Sequence, residues 1–137
     1  MLKPPPRQKI EYEKVATDDW TVGVIDEIEF EKDRATGFRD EKTGEEIIHD
    51  SVRFKFILDG YKFPHKSNWM KLSYHEKSNL YIKYLSALVE GAKPDMDFDL
   101  EQLQGLPVKI MWKQNGEYQN VEIIRPKGAK VKPDVPF

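Results

Sequence analysis

The chain has 137 residues, 22 Lys and Arg against 24 Asp and Glu, a formal net charge of −2 and no cysteine. That length supports one domain around one hydrophobic core, and the missing thiols exclude a disulfide framework, a thiolate metal site and a cysteine nucleophile. The near-neutral total excludes a strongly basic, histone-like nucleic-acid binder.

In chain order, residues 1–19 open with Pro4, Pro5 and Pro6 beside Lys3, Arg7 and Lys9, the composition of a flexible polyproline-like arm. The polar, proline-rich stretch Met1 to Glu13 has no signal-peptide core, and no apolar run approaches the roughly 20 residues of a membrane helix. A cytoplasmic protein is expected, in the host cytoplasm if phage-encoded. From Trp20 the apolar residues Trp20, Val22, Val24, Ile28 and Phe30 follow strand period, with Asp26 marking a bulge. Glu31 to Asp50 is charged and holds Gly37 and Gly44, which predicts a long connection with its own short hairpin. A second strand, Ser51 to Asp59, puts Val52, Phe54, Phe56 and Leu58 on one face and Arg53, Lys55 and Ile57 on the other.

A third strand is predicted from Tyr61 to Leu72, interrupted near Pro64. Ser73-x-x-Glu76 has the form of a capping box, and Leu80, Tyr81, Tyr84, Leu85 and Leu88 make the apolar stripe of the main helix, stopped by Gly91 and Pro94. Asp99 caps one further turn through Leu103, closed by Gly105. Val108, Ile110 and Trp112 alternate as a fourth strand and Val121 and Ile123 mark a fifth, joined by an Asn115-Gly116 hairpin. Residues 126–137 are rich in Lys, Pro and Gly and read as a flexible tail. Three strands, a helix and two strands make a mainly β domain over 20–125, in the order of a five-stranded oligonucleotide/oligosaccharide-binding (OB) barrel whose helix lies between strands three and four.

Catalytic chemistry has little support. His49, His65 and His75 are scattered and lack metal-ligand spacing. Asp95-x-Asp97-x-Asp99 fails as a calcium loop, because Leu100 stands at its sixth position and Leu106 at its twelfth. Hydrolase, phosphate-loop and dinucleotide motifs are absent. The expectation is a protein that is not an enzyme and takes no cofactor or metal.

Binding is better supported, because the positive charge is local. Residues 51–83 hold seven basic and two acidic residues, whereas 1–50 hold eight basic and fourteen acidic. The basic residues fall on the second and third strands, the usual ligand platform of an OB barrel, and on the start of the helix, where Lys77 and Lys83 lie. With Val52, Phe54, Phe56, Leu58, Met70 and Leu72 facing inward, Arg53, Lys55, Trp69 and Lys71 face outward. A tryptophan between cations suits single-strand binding, with stacking for bases and charge for phosphates. Tyr61, Lys62, Phe63, Lys66 and Tyr118 extend the expected nucleic-acid surface. Trp112 shares parity with Val108 and Ile110 and is assigned to the core. The acidic 31–50 connection is positioned to compete for the basic face.

The chain ends Asp134-Val135-Pro136-Phe137, which resembles the acidic Pro-Phe tip of bacterial single-stranded DNA-binding proteins. Trp69 to Tyr84, Phe98-Asp99-Leu100-Glu101 and Leu103 to Gly105 resemble phage-type relatives of that family. Lys127, Lys130 and Lys132 depart from its acidic tail. The resemblance implies a protein of DNA replication, recombination and repair that coats single-stranded DNA, or RNA, and recruits replication or repair proteins through Asp134, Val135, Pro136 and Phe137. The alternative is an OB-fold protein-interaction module or accessory subunit. A carbohydrate-binding module is disfavoured by the cations at 53–71.

Overall fold

A computed structural model describes residues 13–133, and among them the chain is mainly β, with six strands in one antiparallel sheet. The strands are β1 (Thr21–Arg39), β2 (Glu46–Leu58), β3 (His65–Lys66), β4 (Met70–Lys71), β5 (Pro107–Asn115) and β6 (Tyr118–Pro126). Their order across the sheet is β3-β2-β1-β5-β6, with β4 also paired to β2. One short helix, α1, is wound as a π-helix over Leu80–Leu85 and as an α-helix over Ser86–Leu88.

Alternation along β2 builds the core. Val52, Phe54, Phe56 and Leu58 are all buried; Phe54 stacks on Tyr84 with centroids 4.5 Å apart, and Phe56 meets Trp112 edge-on at 6.0 Å. Burying such a side chain is worth about 1.5–3 kcal/mol, so this strand and α1 hold the two sides of the core together. β1 has the expected bulge, since its register with β2 shifts between Ile25 and Glu27. Its inward face before the bulge differs from the predicted one. Thr21, Gly23 and Ile25 are buried, while Trp20 is 37% exposed and Val22 and Val24 are half-buried on the outer face. Gly23 explains the inversion: it lies between Leu58 and Val108, and a Cβ there would sit 2.4 Å from the Ile57 carbonyl oxygen. The inward position is therefore occupied by a residue with no apolar signal.

The expected charged connection is mostly strand. β1 runs on to Arg39 and β2 begins at Glu46, so 31–50 forms the end of one long hairpin. Asp40 closes its turn by accepting the Lys42 N–H at 2.7 Å and the Thr43 N–H at 3.1 Å. The third predicted strand is instead two fragments of two residues. Pro64 offers no N–H, and between the fragments the Ser67 side chain replaces a backbone partner, its Oγ accepting from the Phe54 N–H at 2.9 Å. Neither fragment pairs with β6. The sheet consequently remains open, in place of the predicted closed five-stranded barrel.

The predicted cap also moves. Ser73 accepts only the His75 N–H, at 3.2 Å, and Glu76 is exposed. Ser78 takes over, accepting the Tyr81 N–H at 3.2 Å and donating to the Ser73 carbonyl at 2.6 Å. Leu80, Tyr84, Leu85 and Leu88 are buried, as the helical stripe predicts. Asp99 accepts the Glu101 N–H at 3.0 Å and opens a 3-10 turn over Leu100–Leu103. At the β5–β6 hairpin the turn is Gly116-Glu117; Asn115 still pairs with Tyr118, and Gly116 alone takes a positive φ, 63°.

Both described ends pack on the body where the sequence predicts flexible arms. Val15 is buried, with its N–H and carbonyl both bound to the Gln119 amide, at 2.9 and 2.7 Å. At the other end, the Val131 N–H donates to Leu88 and its carbonyl accepts from Glu90, both at 2.8 Å. An apolar residue in each segment, Val15 buried and Val131 partly buried, supplies what a polar composition hides.

Candidate nucleic-acid interface

The outer face of β1 and β2 is a ladder of opposite charges. Register places Glu29 across from Arg53 and Glu27 across from Lys55, with Lys66 of β3 on the far side of Lys55. Glu29 receives Arg53 Nε at 2.5 Å and Lys66 Nζ at 2.9 Å, while Lys55 Nζ lies 3.4 Å from Asp26 and 3.7 Å from Glu27. Partial burial acts to raise the Glu29 carboxyl, but the hydrogen bonds and charges of Lys66 and Arg53 hold it below the ordinary carboxylate range. Of the predicted cations, Arg53, Lys55 and Lys66 thus sit on the predicted face, each with a carboxylate already in place. The competing acids come from β1, before the 31–50 segment.

Trp69 stands at the end of this ladder, half-buried. Two guanidinium groups lie over its ring, Arg53 at 4.4 Å and Arg34 at 5.0 Å from the centroid. The long hairpin therefore gives Trp69 a cation rather than an acid. Arg34 is itself 3.8 Å from Glu31. An indole with cations at its face offers a stacking surface and phosphate partners within one site.

The seam left open by the short β3 and β4 forms a cleft of about 120 Å³ beside Trp69. Asn68, Asn79, Lys83 and Asn120 line it with Trp69, Met70 and Tyr84. Lys83 donates to the Val121 carbonyl at 3.0 Å. Burial, with the Lys113 charge nearby, holds its ammonium below the ordinary lysine range against the opposing charge of Glu122. Burial also drives the Tyr84 hydroxyl far above the usual phenol range, against a hydrogen bond with Ser67, so it stays protonated. Three amides beside an aromatic ring match the donor and acceptor edges of a base. Sequence reasoning missed Arg34, Asn79 and Asn120, because only the open sheet and the hairpin length bring them to Trp69, and it passed over Asn68 although that residue adjoins Trp69 in the chain.

The other predicted residues divide into three places. Tyr61, Lys62 and Phe63 surround an anchor made by Glu13, whose carboxylate accepts the Lys62 N–H at 2.8 and 3.0 Å and the Phe63 N–H at 3.0 Å. Those two backbone bonds hold the Glu13 carboxyl below its ordinary range. The Glu13 carbonyl accepts His65 Nε2–H at 2.6 Å, and the Tyr61 hydroxyl accepts the Ala16 N–H at 3.2 Å. Phe63 stays 56% exposed under Lys62 Nζ, 5.4 Å from its centroid. Lys71 is exposed opposite Ser51. Tyr118 is 76% exposed beside the Gly116 turn, with no described contact to Trp69. Trp112 is buried, as expected. Asp134, Val135, Pro136 and Phe137 lie outside the described residues.

Among the described residues no cluster of His, Cys, Asp or Glu has the arrangement of a metal site, and no helix is long and apolar enough to cross a membrane. The chain matches no family model, no curated protein and no solved structure.

Proposed function

We propose that the protein binds single-stranded DNA non-specifically on the outer face of β1 and β2, as a phage-like replication and repair accessory acting in the cytoplasm. The observation that carries this reading is Trp69 under the guanidinium groups of Arg34 and Arg53, at 5.0 and 4.4 Å. A base stacks on the indole, an interaction worth about 1–3 kcal/mol. Arg34, Arg53, Lys55 and Lys66 exchange their carboxylate partners for phosphates, with Lys62 and Lys71 at the margins and Tyr61 and Phe63 adding aromatic surface. The open sheet is read as an OB barrel whose third strand is too broken to close, and the seam becomes part of the site. The terminal Asp134 to Phe137 recruits replication or repair proteins: its ring and proline fill an apolar pocket, and its carboxylates meet basic groups.

Titration of tryptophan emission with oligothymidylate at two salt concentrations tests the reading. With an oligothymidylate of about four nucleotides, quenching that weakens as salt rises, and is lost in Trp69→Ala, is expected. No quenching by the wild type at low salt overturns it. A second reading, a protein-interaction module, draws on the carboxylates that already neutralise Arg53, Lys55 and Lys66. Binding of an acidic protein without any response to oligonucleotides selects it.

A further inference from the structure

The bulge at Asp26 keeps one outer face continuous along β1. Before it Trp20, Val22 and Val24 point outward, and after it Glu27 and Glu29 do. Val24 pairs with Ile57, which is 42% exposed, and Val22 pairs with Lys109, which in turn pairs with Arg125. This row leads away from the Trp69 platform over an apolar strip to a second aromatic and cationic cluster. Glu29 and Val22 are seven positions apart, about 23 Å of strand.

At that end a broad open cleft of about 450 Å³ is lined by Trp20, Ala87, Lys109, Arg125, Pro126 and Lys130. Lys109 Nζ lies over the Trp20 ring, 4.9 Å from its centroid. Arg125 donates to the Ile124 carbonyl at 2.9 Å and Lys130 to the Ser86 carbonyl at 3.5 Å. No carboxylate lines the cleft, and among the described residues none of these three cations is in an ion pair. Asp19, beside it in sequence, turns its carboxylate to the Trp20 N–H at 2.8 Å. Three uncompensated cations around a partly exposed indole fit an anionic ligand with flat aromatic groups.

We infer that this cleft is a second contact for the same single strand, with a base on Trp20 and successive phosphates on Lys109, Arg125 and Lys130. The inference rests on the single-strand reading and extends it from one site to a track. The strand runs from Trp69 along the outer face of β1, crossing the apolar strip of Ile57, Val24 and Val22 between the two clusters. An oligonucleotide of about four nucleotides engages one cluster, whereas one of about sixteen, the upper end for a domain of this kind, reaches both.

The test compares binding of these two lengths of oligothymidylate by the wild type, a Lys109→Ala/Arg125→Ala/Lys130→Ala triple variant and Trp20→Leu. For the longer oligonucleotide the triple variant loses about 2 from the slope of log affinity against log salt, which is about a hundredfold at 0.1 M salt and little near 1 M. Trp20→Leu loses about tenfold with little change in slope. Binding of the short oligonucleotide, governed by Trp69, stays at the wild-type level in both. In a Trp69→Phe protein, where Trp20 and buried Trp112 remain, the longer oligonucleotide still quenches emission. Wild-type affinity and slope in the triple variant overturn the inference while leaving Trp69-dependent binding intact. Failure of the wild type to bind either length overturns both readings.

Discussion

The clusters around Trp69 and Trp20 share one sheet face and similar parts, yet their cations are held differently. At Trp69 Arg34, Arg53, Lys55 and Lys66 each have a carboxylate within 4 Å, and Glu29 alone serves Arg53 and Lys66. At Trp20 the cations rest on backbone carbonyls and the indole itself. On the proposed single-strand reading, the first arrangement holds its groups in place and an incoming phosphate would have to displace an acid; the second would attract phosphate without competition. Electrostatic attraction would then belong mainly to the Trp20 end, and ordered stacking to the Trp69 end. Exposed ion pairs are worth about 0–1 kcal/mol each, so exchanging them for phosphates costs the fold little.

The largest expected effect abolishes the difference by damaging the strand that joins both clusters. Gly23→Val forces a Cβ to within 2.4 Å of the Ile57 carbonyl oxygen, between the two paired neighbours of β1. A loss of about 3 kcal/mol is expected from such overpacking, read as a lower urea midpoint, with binding of both oligonucleotide lengths reduced together. An unchanged midpoint would show that β1 and β2 are not held in this register.

Glu29→Gln makes the first cluster resemble the second. With Arg53 and Lys66 released, the salt slope for the short oligonucleotide steepens by about 1.4 and affinity at 0.1 M salt rises about 25-fold, while stability changes by no more than about 1 kcal/mol. Weaker binding in this variant would mean that Glu29 positions Arg53 over Trp69 more than it competes with phosphate.

Acid should give the same release without a mutation. The Glu29 carboxyl is held below its ordinary range in the fold, so its pairing contributes stability above the unfolded value of about 4.3, and that contribution is lost as pH falls through the folded value. Protonation removes the competitor, so affinity for the short oligonucleotide rises as pH falls through that depressed folded value, while stability falls. Glu13 obeys the same sign, because its bonds from the Lys62 and Phe63 N–H groups also depress its carboxyl. Its loss frees the segment before Thr21. Amide exchange at Lys62 and Phe63 should accelerate relative to the core over that range, and Glu13→Gln should remove the pH dependence of this local effect.

What the sequence made legible depended on whether a signal was local. Val52, Phe54, Phe56 and Leu58 announce their face by alternation, the Asp26 bulge by one polar intrusion and the Asp99 cap by a single side chain. The face of Trp20 was hidden, because the close approach at Gly23 demands a residue without apolar character. Ser73 and Glu76 satisfy the spacing of a capping box, yet Ser78 caps the helix, since Ser73 is engaged by His75 and Ser78. The outward cations of β2 could be read from parity. Their carboxylate partners could not, because the register beyond a bulge is fixed only once both strands are paired. Arg34 over Trp69 depends likewise on how far the hairpin continues.

The finest comparison sets one cation against another at almost equal distance from its tryptophan, Arg34 at 5.0 Å from Trp69 and Lys109 at 4.9 Å from Trp20. Each contact is worth about 0.5–1 kcal/mol at an exposed site. Arg34→Ala removes a group that also faces Glu31, so the net charge released to phosphate is small and binding of either length weakens only about twofold. Lys109→Ala removes an uncompensated cation. It should leave the short oligonucleotide unaffected and lower the salt slope for the long one by about 0.7. The two single variants thus separate cations that hold a ring from those that draw in the strand. Equal salt slopes in both would mean that the carboxylates around Trp69 do not screen it.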